Sequence, residues 1–410
     1  MEWPFVGAFV ARPDCGQKVV FARTYTGIIF FFLETVMTSI FRLQQCSAGL
    51  AVGSKCRGEF KQSNGVAGRL RSPGCATSKV VIASAAFVLG LLCSGDWASA
   101  ATWTVTSTND GLKKGTLRYA VKNAVNGDTI FLAAGTGKPP ITLNGSEIVL
   151  DKNLTITADK KKVATVSANG KSRIFRVTAN VRIENVVLAD GNSTNDVLTP
   201  DGGGILNGGV LSLTNVSMIR NISGNYGGAV YNAAATLTVN TCAFADNYAK
   251  RYGGGIASIG FGSLLIQGST FTRNSADEGS GAICNVFGDF TITTSSLTQN
   301  VGLLAGGAIG IVNTIYGNQS LISNCTLSGN SSQIGGAIEC FQADVAVVGS
   351  WINVNDAGQY GGGIACNNCI GAISYSNITQ NTSVGGGSDV HLIGSPLVLT
   401  NNTIGNLFQQ

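Results

Sequence analysis

The sequence predicts an all-β chain: a right-handed, single-stranded parallel β-helix with a short capping helix at its N-terminal end. Three observations carry that prediction. A glycine-rich block ending in an aliphatic residue recurs at a nearly constant interval; an apolar residue followed three positions later by Asn recurs at the same interval; short alternating apolar stretches lie between the two. Independent markers sharing one period are the signature of stacked structural repeats.

The first marker appears as Gly202-Gly-Gly-Ile205, Gly227-Gly-Ala-Val230, Gly253-Gly-Gly-Ile256, Ser280-Gly-Ala-Ile283, Gly306-Gly-Ala-Ile309, Gly335-Gly-Ala-Ile338 and Gly361-Gly-Gly-Ile364, with a looser copy at Gly385-Gly-Gly-Ser388. Its aliphatic residues are 25 to 29 positions apart. The second marker is Met218/Asn221, Phe244/Asn247, Phe271/Asn274, Leu297/Asn300, Leu327/Asn330, Ile352/Asn355 and Ile378/Asn381, with Asn spacings of 25 to 30. The alternating pairs Leu211/Leu213, Leu237/Val239, Leu264/Ile266, Phe290/Ile292, Val345/Val347 and Leu397/Leu399 read as strands with one face inward. No single repeat can bury that face alone, so the coils must stack. The small residues permit a sharp turn and a close approach to the next coil. The recurrent Asn is expected to bond backbone groups at a corner and its own counterpart one coil away.

Before the regular coils, residues 101–200 read as a cap and opening coils, and residues 201–410 as repeats of about 26 residues. Thr102-Trp-Thr-Val-Thr106 is the first strand, and Gly115-Thr-Leu-Arg-Tyr-Ala-Val-Lys-Asn-Ala124 a short amphipathic helix covering the rod's end. An uncovered end would expose apolar core and unpaired strand edges. Short strands follow at Thr129–Leu132, Ile141–Leu143, Leu154–Ile156, Ile174–Val177 and Val181–Ile183, and Gly191 to Asp201 is polar enough to loop out.

Residues 79–100 combine Lys79, an apolar run through Cys93, and Ala98-Ser-Ala100, the pattern of a secretory signal cleaved after Ala100. The run is short for a membrane span. Its distance from Met1 leaves three readings of residues 1–78: an upstream extension outside the real protein, the lead of an uncleaved signal anchor touching the membrane through residues 79–95, or an organelle-targeting region. Export is the expectation, to the cell surface or beyond.

With 55 Gly but 44% hydrophobic residues, and no three-residue glycine period, the composition excludes both a disordered and a collagen-like chain. The formal charge of +5 argues little for nucleic-acid binding, because it resides entirely in residues 1–100. Residues 101–273 carry 17 Lys/Arg against 10 Asp/Glu, whereas residues 274–410 carry 7 Asp/Glu and no Lys or Arg. A polyanionic ligand would therefore favour the first half.

The closest repeat forms, Gly227-Gly-Ala-Val230, Gly306-Gly-Ala-Ile309, Gly335-Gly-Ala-Ile338, Phe244-Ala-Asp-Asn247 and Phe271-Thr-Arg-Asn274, resemble the repeats of chlamydial polymorphic outer membrane proteins over residues 202–381. That resemblance implies a surface-displayed β-helical passenger associated with adhesion. The family's C-terminal β-barrel has no counterpart here, since no terminal series of long membrane strands is visible. Gly115-Thr-Leu-Arg-Tyr-Ala-Val121 and Gly127-Asp-Thr-Ile130 resemble the front of pectate-lyase-like (pectin-lyase-like) β-helix proteins. There this segment caps the helix, which implies a structural role for Arg118.

A polysaccharide lyase needs carboxylates that hold a cation against the uronate, plus a base on the same face. Asp246, Asp277, Glu278 and Asp356 are the candidate acids near the turns, with Arg251 and Arg273 the nearest bases. A hydrolase needs two carboxylates set across a cleft, and the sequence shows no adjacent Asp-Asp pair. The single His391 gives no metal or triad pattern. No catalytic, cofactor-binding or metal residue is assigned; calcium would belong only to the lyase alternative. Cys340 and Cys366 fall at matching positions on consecutive coils, within reach of a disulfide or stacked as buried thiols. Cys366-Asn-Asn-Cys369 reads as structural. Glycosylation sequons begin at Asn144, Asn153, Asn192, Asn215, Asn221, Asn318, Asn324, Asn330, Asn377, Asn381 and Asn401.

The function expected from these residues is that of an exported or cell-surface, non-catalytic scaffold or adhesion protein, with polysaccharide or a surface protein as partner and no nucleic acid. The alternative is a polysaccharide lyase or glycoside hydrolase acting on acidic cell-wall polymers.

Overall fold

The structure is a computed structural model, and it describes residues 100–137, 139–312 and 319–410. The signal-like segment and the basic lead before it lie outside the described residues. From Ala101 onward the chain winds as a right-handed parallel β-helix, each coil contributing one strand to each of several parallel sheets. Among the described residues these sheets hold 12, 11, 11 and 7 strands.

One coil shows the plan. Ile205–Asn207 belongs to the first face, Val210–Thr214 to the second, Ser217–Ile219 to the third and Ile222–Ser223 to a short fourth. The next coil repeats it in register: Ile205 opposite Val230, Leu211 opposite Leu237, Met218 opposite Phe244. The aliphatic residue that ends each glycine block forms one inward column, from Ile205 through Ile256, Ile283, Ile309 and Ile338 to Ile364, each at most 1% exposed. Phe244 and Phe271 stack one rung apart, ring centroids 4.6 Å and 6° from parallel. The core is therefore a set of like-on-like columns running along the rod.

Each glycine block follows from that stacking. Gly335 has φ +66°, a conformation open mainly to glycine, and a Cβ on Gly336 would lie 2.3 Å from the Gly362 carbonyl oxygen of the next coil. A side chain at either place would push neighbouring rungs apart.

The Asn column closes the corner between third and fourth faces. Asn221, Asn247, Asn274, Asn300, Asn330 and Asn355 are 0–1% exposed. In each, the side-chain Nδ2 and the backbone N–H both donate to Oδ1 of the Asn one coil ahead; for Asn274 on Asn300 both distances are 3.0 Å. The same Nδ2 also donates back to a strand carbonyl, as from Asn300 to Phe271 at 3.0 Å. The expected corner role holds, and these Asn residues leave no polar atom free for a ligand. Asn221, Asn330 and Asn381 also head sequons, and their burial excludes them as glycan acceptors in the folded chain; Asn318 lies outside the described residues.

The cap forms as expected. Thr116 starts helix α1, Leu117–Asn123, by accepting the Tyr119 N–H on its hydroxyl. Leu117, Ala120 and Val121 are buried, facing the core. Arg118 donates from Nε and Nη2 to the two Asp110 carboxylate oxygens at 2.8 Å each, and to the Ser146 and Glu147 carbonyls. Its donors thus knit the cap to the coil below. Gly191 to Asp201 does loop out, anchored by buried Arg173, which donates to the Thr199, Asp201 and Gly202 carbonyls and pairs with Glu147 and Asp196.

Two features depart from the sequence reading. Ser320–Ser323 is a second-face strand without the apolar alternation seen elsewhere, because Ser320, fully buried, occupies the column that holds Val345 in the next coil. The two-residue strands of the fourth face also carry no alternation.

Asn300→Ala is expected to destabilise the chain by on the order of 4 kcal/mol, because it strips partners from the Asn274 amide groups and the Phe271 carbonyl at once. Urea denaturation of this variant beside Gln299→Ala, an exposed neighbour expected to change stability by less than about 0.5 kcal/mol, checks it. Equal losses for both would overturn the ladder's role.

Candidate functional site

The acidic turn residues do not form one site. Asp246 stands at the corner between third and fourth faces and forms a two-pronged ion pair with Arg273 of the next coil, at 2.7 and 2.9 Å. Arg220 pairs likewise with Asp190 one coil earlier, at 2.9 Å. Asp277 lies beyond that corner, where the Tyr248 hydroxyl donates to it at 2.5 Å. This bond, with burial, pushes the Tyr248 phenol up to about 12. Glu278 takes Arg251 at 2.6 Å, and that guanidinium also reaches the Tyr226 hydroxyl at 3.0 Å and lies over the Tyr226 and Tyr252 rings. Asp356 accepts from the Thr382 hydroxyl. Asp246 and Asp277 are thus not equivalent neighbours: one precedes the ladder Asn and the other follows it. Both Arg251 and Arg273 are engaged by carboxylates, which a base free to take a proton would not be. Among the described residues no group of His, Cys, Asp and Glu is placed to hold a metal ion.

The cysteines are free thiols: Cys242, Cys284, Cys325, Cys340, Cys366 and Cys369 are all buried and unbridged. Cys340 does face Cys366 in register. In-register parallel neighbours aim their side chains the same way, whereas a disulfide needs converging Cβ–S vectors. Of the two arrangements open from the spacing, a disulfide or stacked thiols, the second forms: a hydrogen-bonded run of thiols from Cys340 through Cys366 to Cys369. Burial pushes the Cys242 thiol up to about 11 and the Cys284 thiol up to about 12. Neither is a nucleophile near neutral pH.

The outer side of the first face carries a residue that sequence reasoning passed over. Its middle row runs Leu206, Tyr231, Ala257, Cys284, Gly310, Glu339, Ala365, His391. From Leu206 onward every member but Glu339 is aromatic, aliphatic, thiol or glycine; Arg176, which precedes Leu206 in the row, is paired with Glu147. Glu339 has no ion pair or hydrogen bond among the described residues, and burial alone pushes its carboxyl up to about 7. Bare Gly310 lies one rung below it, overhung by the Ser280 hydroxyl, which would stand 2.0 Å from a Cβ there. The available signal was a charged residue directly after a glycine block, where the other coils have none. His391, two rungs on, is 5% exposed and stacked between Tyr360 and Phe408 at 4.8 and 4.6 Å. Burial lowers its pKa, so it sits as a neutral ring.

At the cap end, an open cavity of about 670 Å³ is bounded by the Ser107–Lys114 turn and Pro139 to Asn144. Its carboxylate, Asp110, is held by Arg118.

No protein-family model and no curated protein matches this chain, so the chlamydial-type repeat stands without a matching family. Among solved structures it is similar to the A-module of the mannuronan C-5 epimerase AlgE6 from Azotobacter vinelandii, at 16% identity and a TM-score of 0.38. That likeness covers 75% of this chain and 99% of the other.

Two outcomes are expected. All six thiols of residues 101–410 should resist an aromatic disulfide reagent in the native chain and alkylate in denaturant without reductant; fewer than six adducts there would reveal a bridge. Glu339 should make stability fall as pH rises from 4.5 to about 7, because the folded chain retains a proton that the unfolded chain releases. Denaturation midpoints across that range should flatten in Glu339→Gln; an unchanged slope would assign it to another group.

Proposed function

We propose that this chain is an exported β-helical rod that contacts polysaccharide along its outer faces in a scaffold or adhesion role, without performing chemistry on it. The observation that carries this reading is the outer surface of the third face. There Thr270, Ser296 and Thr326 form one in-register row, and Thr272, Thr298 and Ser328 a second. The Thr272 and Thr298 hydroxyls lie 3.3 Å apart. Hydroxyl rows repeating at the rung spacing of about 4.8 Å suit an extended polymer that offers its own hydroxyls at regular intervals. The ion-paired arginines support the non-catalytic part, since each candidate base is already bound to an acid. The secretory pattern at residues 79–100 and exposed sequons such as Asn144, Asn215 and Asn401 support a surface or secreted, glycosylated protein.

One observation favours a second reading. An unpaired carboxyl raised to about 7 is suited to acid–base work at neutral pH, and Glu339 would then be the residue of a lyase or hydrolase acting on acidic polymers. The full chain should be retarded in gels containing polysaccharide yet release neither unsaturated product nor reducing ends from pectate, alginate or neutral glucans, with calcium or chelator. Product formation abolished by Glu339→Gln would replace the scaffold reading with the enzymatic one. Neither retardation nor product across the panel would remove polysaccharide contact altogether.

A further inference from the structure

The third face changes character at two consecutive coils. Its hydroxyl row, from Thr270 through Ser296 to Thr326, is interrupted by Trp351, which is 59% exposed. One coil on, Tyr375 occupies the corner that leads into this face and is 66% exposed. The corner imposes a left-handed backbone on every regular coil. Asn215, Thr241, Gly268, Thr294, Asn324, Gly349 and Asn401 fill it elsewhere, at φ between +47° and +59°. Tyr375 adopts φ +52° in the same place. A bulky side chain at such a φ carries a backbone cost that Asn or Gly largely escapes, and a ring left in solvent recovers little of it by burial. Val354, at φ +57° and 58% exposed, repeats the anomaly at the far corner of the Trp351 strand, where other coils place Asp246, Arg273 or Gln299. Strain of this kind persists where the exposed group is used.

The register sets the geometry. Val348 pairs with Ser374 and Trp351 with Asn377, so Tyr375 stands over Gly349, two residues before Trp351 and one rung along. A rung of about 4.8 Å and two residues at about 3.3 Å each place the two Cα atoms about 8 Å apart. Neither ring has a ring contact or side-chain hydrogen bond among the described residues, and Gly349 between them carries no side chain of its own, the Asn324 side-chain oxygen lying over it 2.6 Å from where a Cβ would stand. Asn353 and Asn377, both partly exposed, flank the Trp351 position on its own strand and the next.

Resting on the polysaccharide-contact reading, we propose that Trp351 and Tyr375 form a stacking platform for consecutive rings of a neutral glycan, with the Asn353 and Asn377 Nδ2 groups meeting its hydroxyls. Flat aromatic faces pack against the C–H faces of sugar rings, and Trp and Tyr suit half-wet contacts of this sort. The neutral class follows from charge: residues 274–410 hold seven Asp/Glu and no Lys or Arg, so a uronate polymer would find no counter-charge and a net repulsion.

The test is binding of cello-oligosaccharides, with polygalacturonate as the acidic comparison, by the full chain produced in a non-glycosylating host, since Asn324 and Asn377 head sequons on this face. Trp351→Ala and Tyr375→Asn should each weaken neutral-glycan binding at least about tenfold, a loss of about 1.4 kcal/mol. Tyr375→Asn should meanwhile melt no lower than the parent, because Asn suits that corner, so lost binding cannot be ascribed to misfolding. A parent chain that binds either glycan while both variants bind as well overturns the platform and leaves polysaccharide contact standing. Preference for polygalacturonate overturns the neutral class. A parent that binds no glycan, whether or not it self-associates through Trp351, overturns the platform together with the reading beneath it.

Discussion

The inward side chains of each described coil need a packing neighbour one rung away, most often one of like shape. A coil of about 26 residues wraps too little volume to form a core by itself, so its apolar face is buried only by the coils above and below. That requirement fixes the register, and the register fixes the rest. Glycine is demanded where a Cβ would strike the next rung's carbonyl, as at Gly336. Asn is demanded where a corner turns backbone groups away from sheet partners. The register survives length variation: the 30-residue spacing between Asn300 and Asn330 leaves Ile309 opposite both Ile283 and Ile338.

Much of this was legible in the sequence because the constraint is periodic. The Ile205-to-Ile364 column, the Met218-to-Ile378 column and the Asn ladder could each be read from spacing, and all occupy the expected places. The cap helix was legible through Thr116 and its amphipathic spacing. Reading failed where a position keeps its place but loses its usual residue type. Ser320 lies inward without being apolar, so its strand gave no alternation. The fourth face uses mostly two-residue strands, too short for any pattern, and its two longer ones, Ser331–Ile334 and Asp356–Tyr360, show no apolar alternation. The carboxylates failed for a different reason. Sequence spacing locates a residue along the coil, but whether Asp246 meets Arg273 or Asp277 depends on which side of a left-handed corner each falls.

Interior and exterior therefore carry different information. Inside, the repeat consensus describes what the fold requires, and departures such as the Cys340–Cys366–Cys369 thiols are small accommodations of volume. Outside, the consensus is a background of Ser, Thr and Asn that stacking tolerates equally well. Residues worth attention there are those that break it at some cost: Glu339, unpaired in a row whose other charge, Arg176, is held by Glu147, and Trp351 and Tyr375 in a row and a corner otherwise small or polar. A solenoid makes such departures visible, because each coil serves as a control for the next.

The Asn ladder has one property that the individual bonds do not show. Every Asn-to-Asn link in it runs the same way, each amide donating to the Asn one coil ahead and accepting from the Asn one coil behind. Aligned amide dipoles add, as they do in an α-helix, so the column ends in a pair of outward-pointing donors, the backbone N–H and side-chain Nδ2 of Asn381. The next coil meets them with a carboxylate: Asp389 accepts both on one oxygen, at 3.0 and 2.8 Å, and takes the Asn406 N–H on the other. An anion thus terminates the positive end of a summed dipole, the same electrostatic solution by which an acidic residue caps a helix N-terminus, transferred here to a column of side chains running through a β-structure.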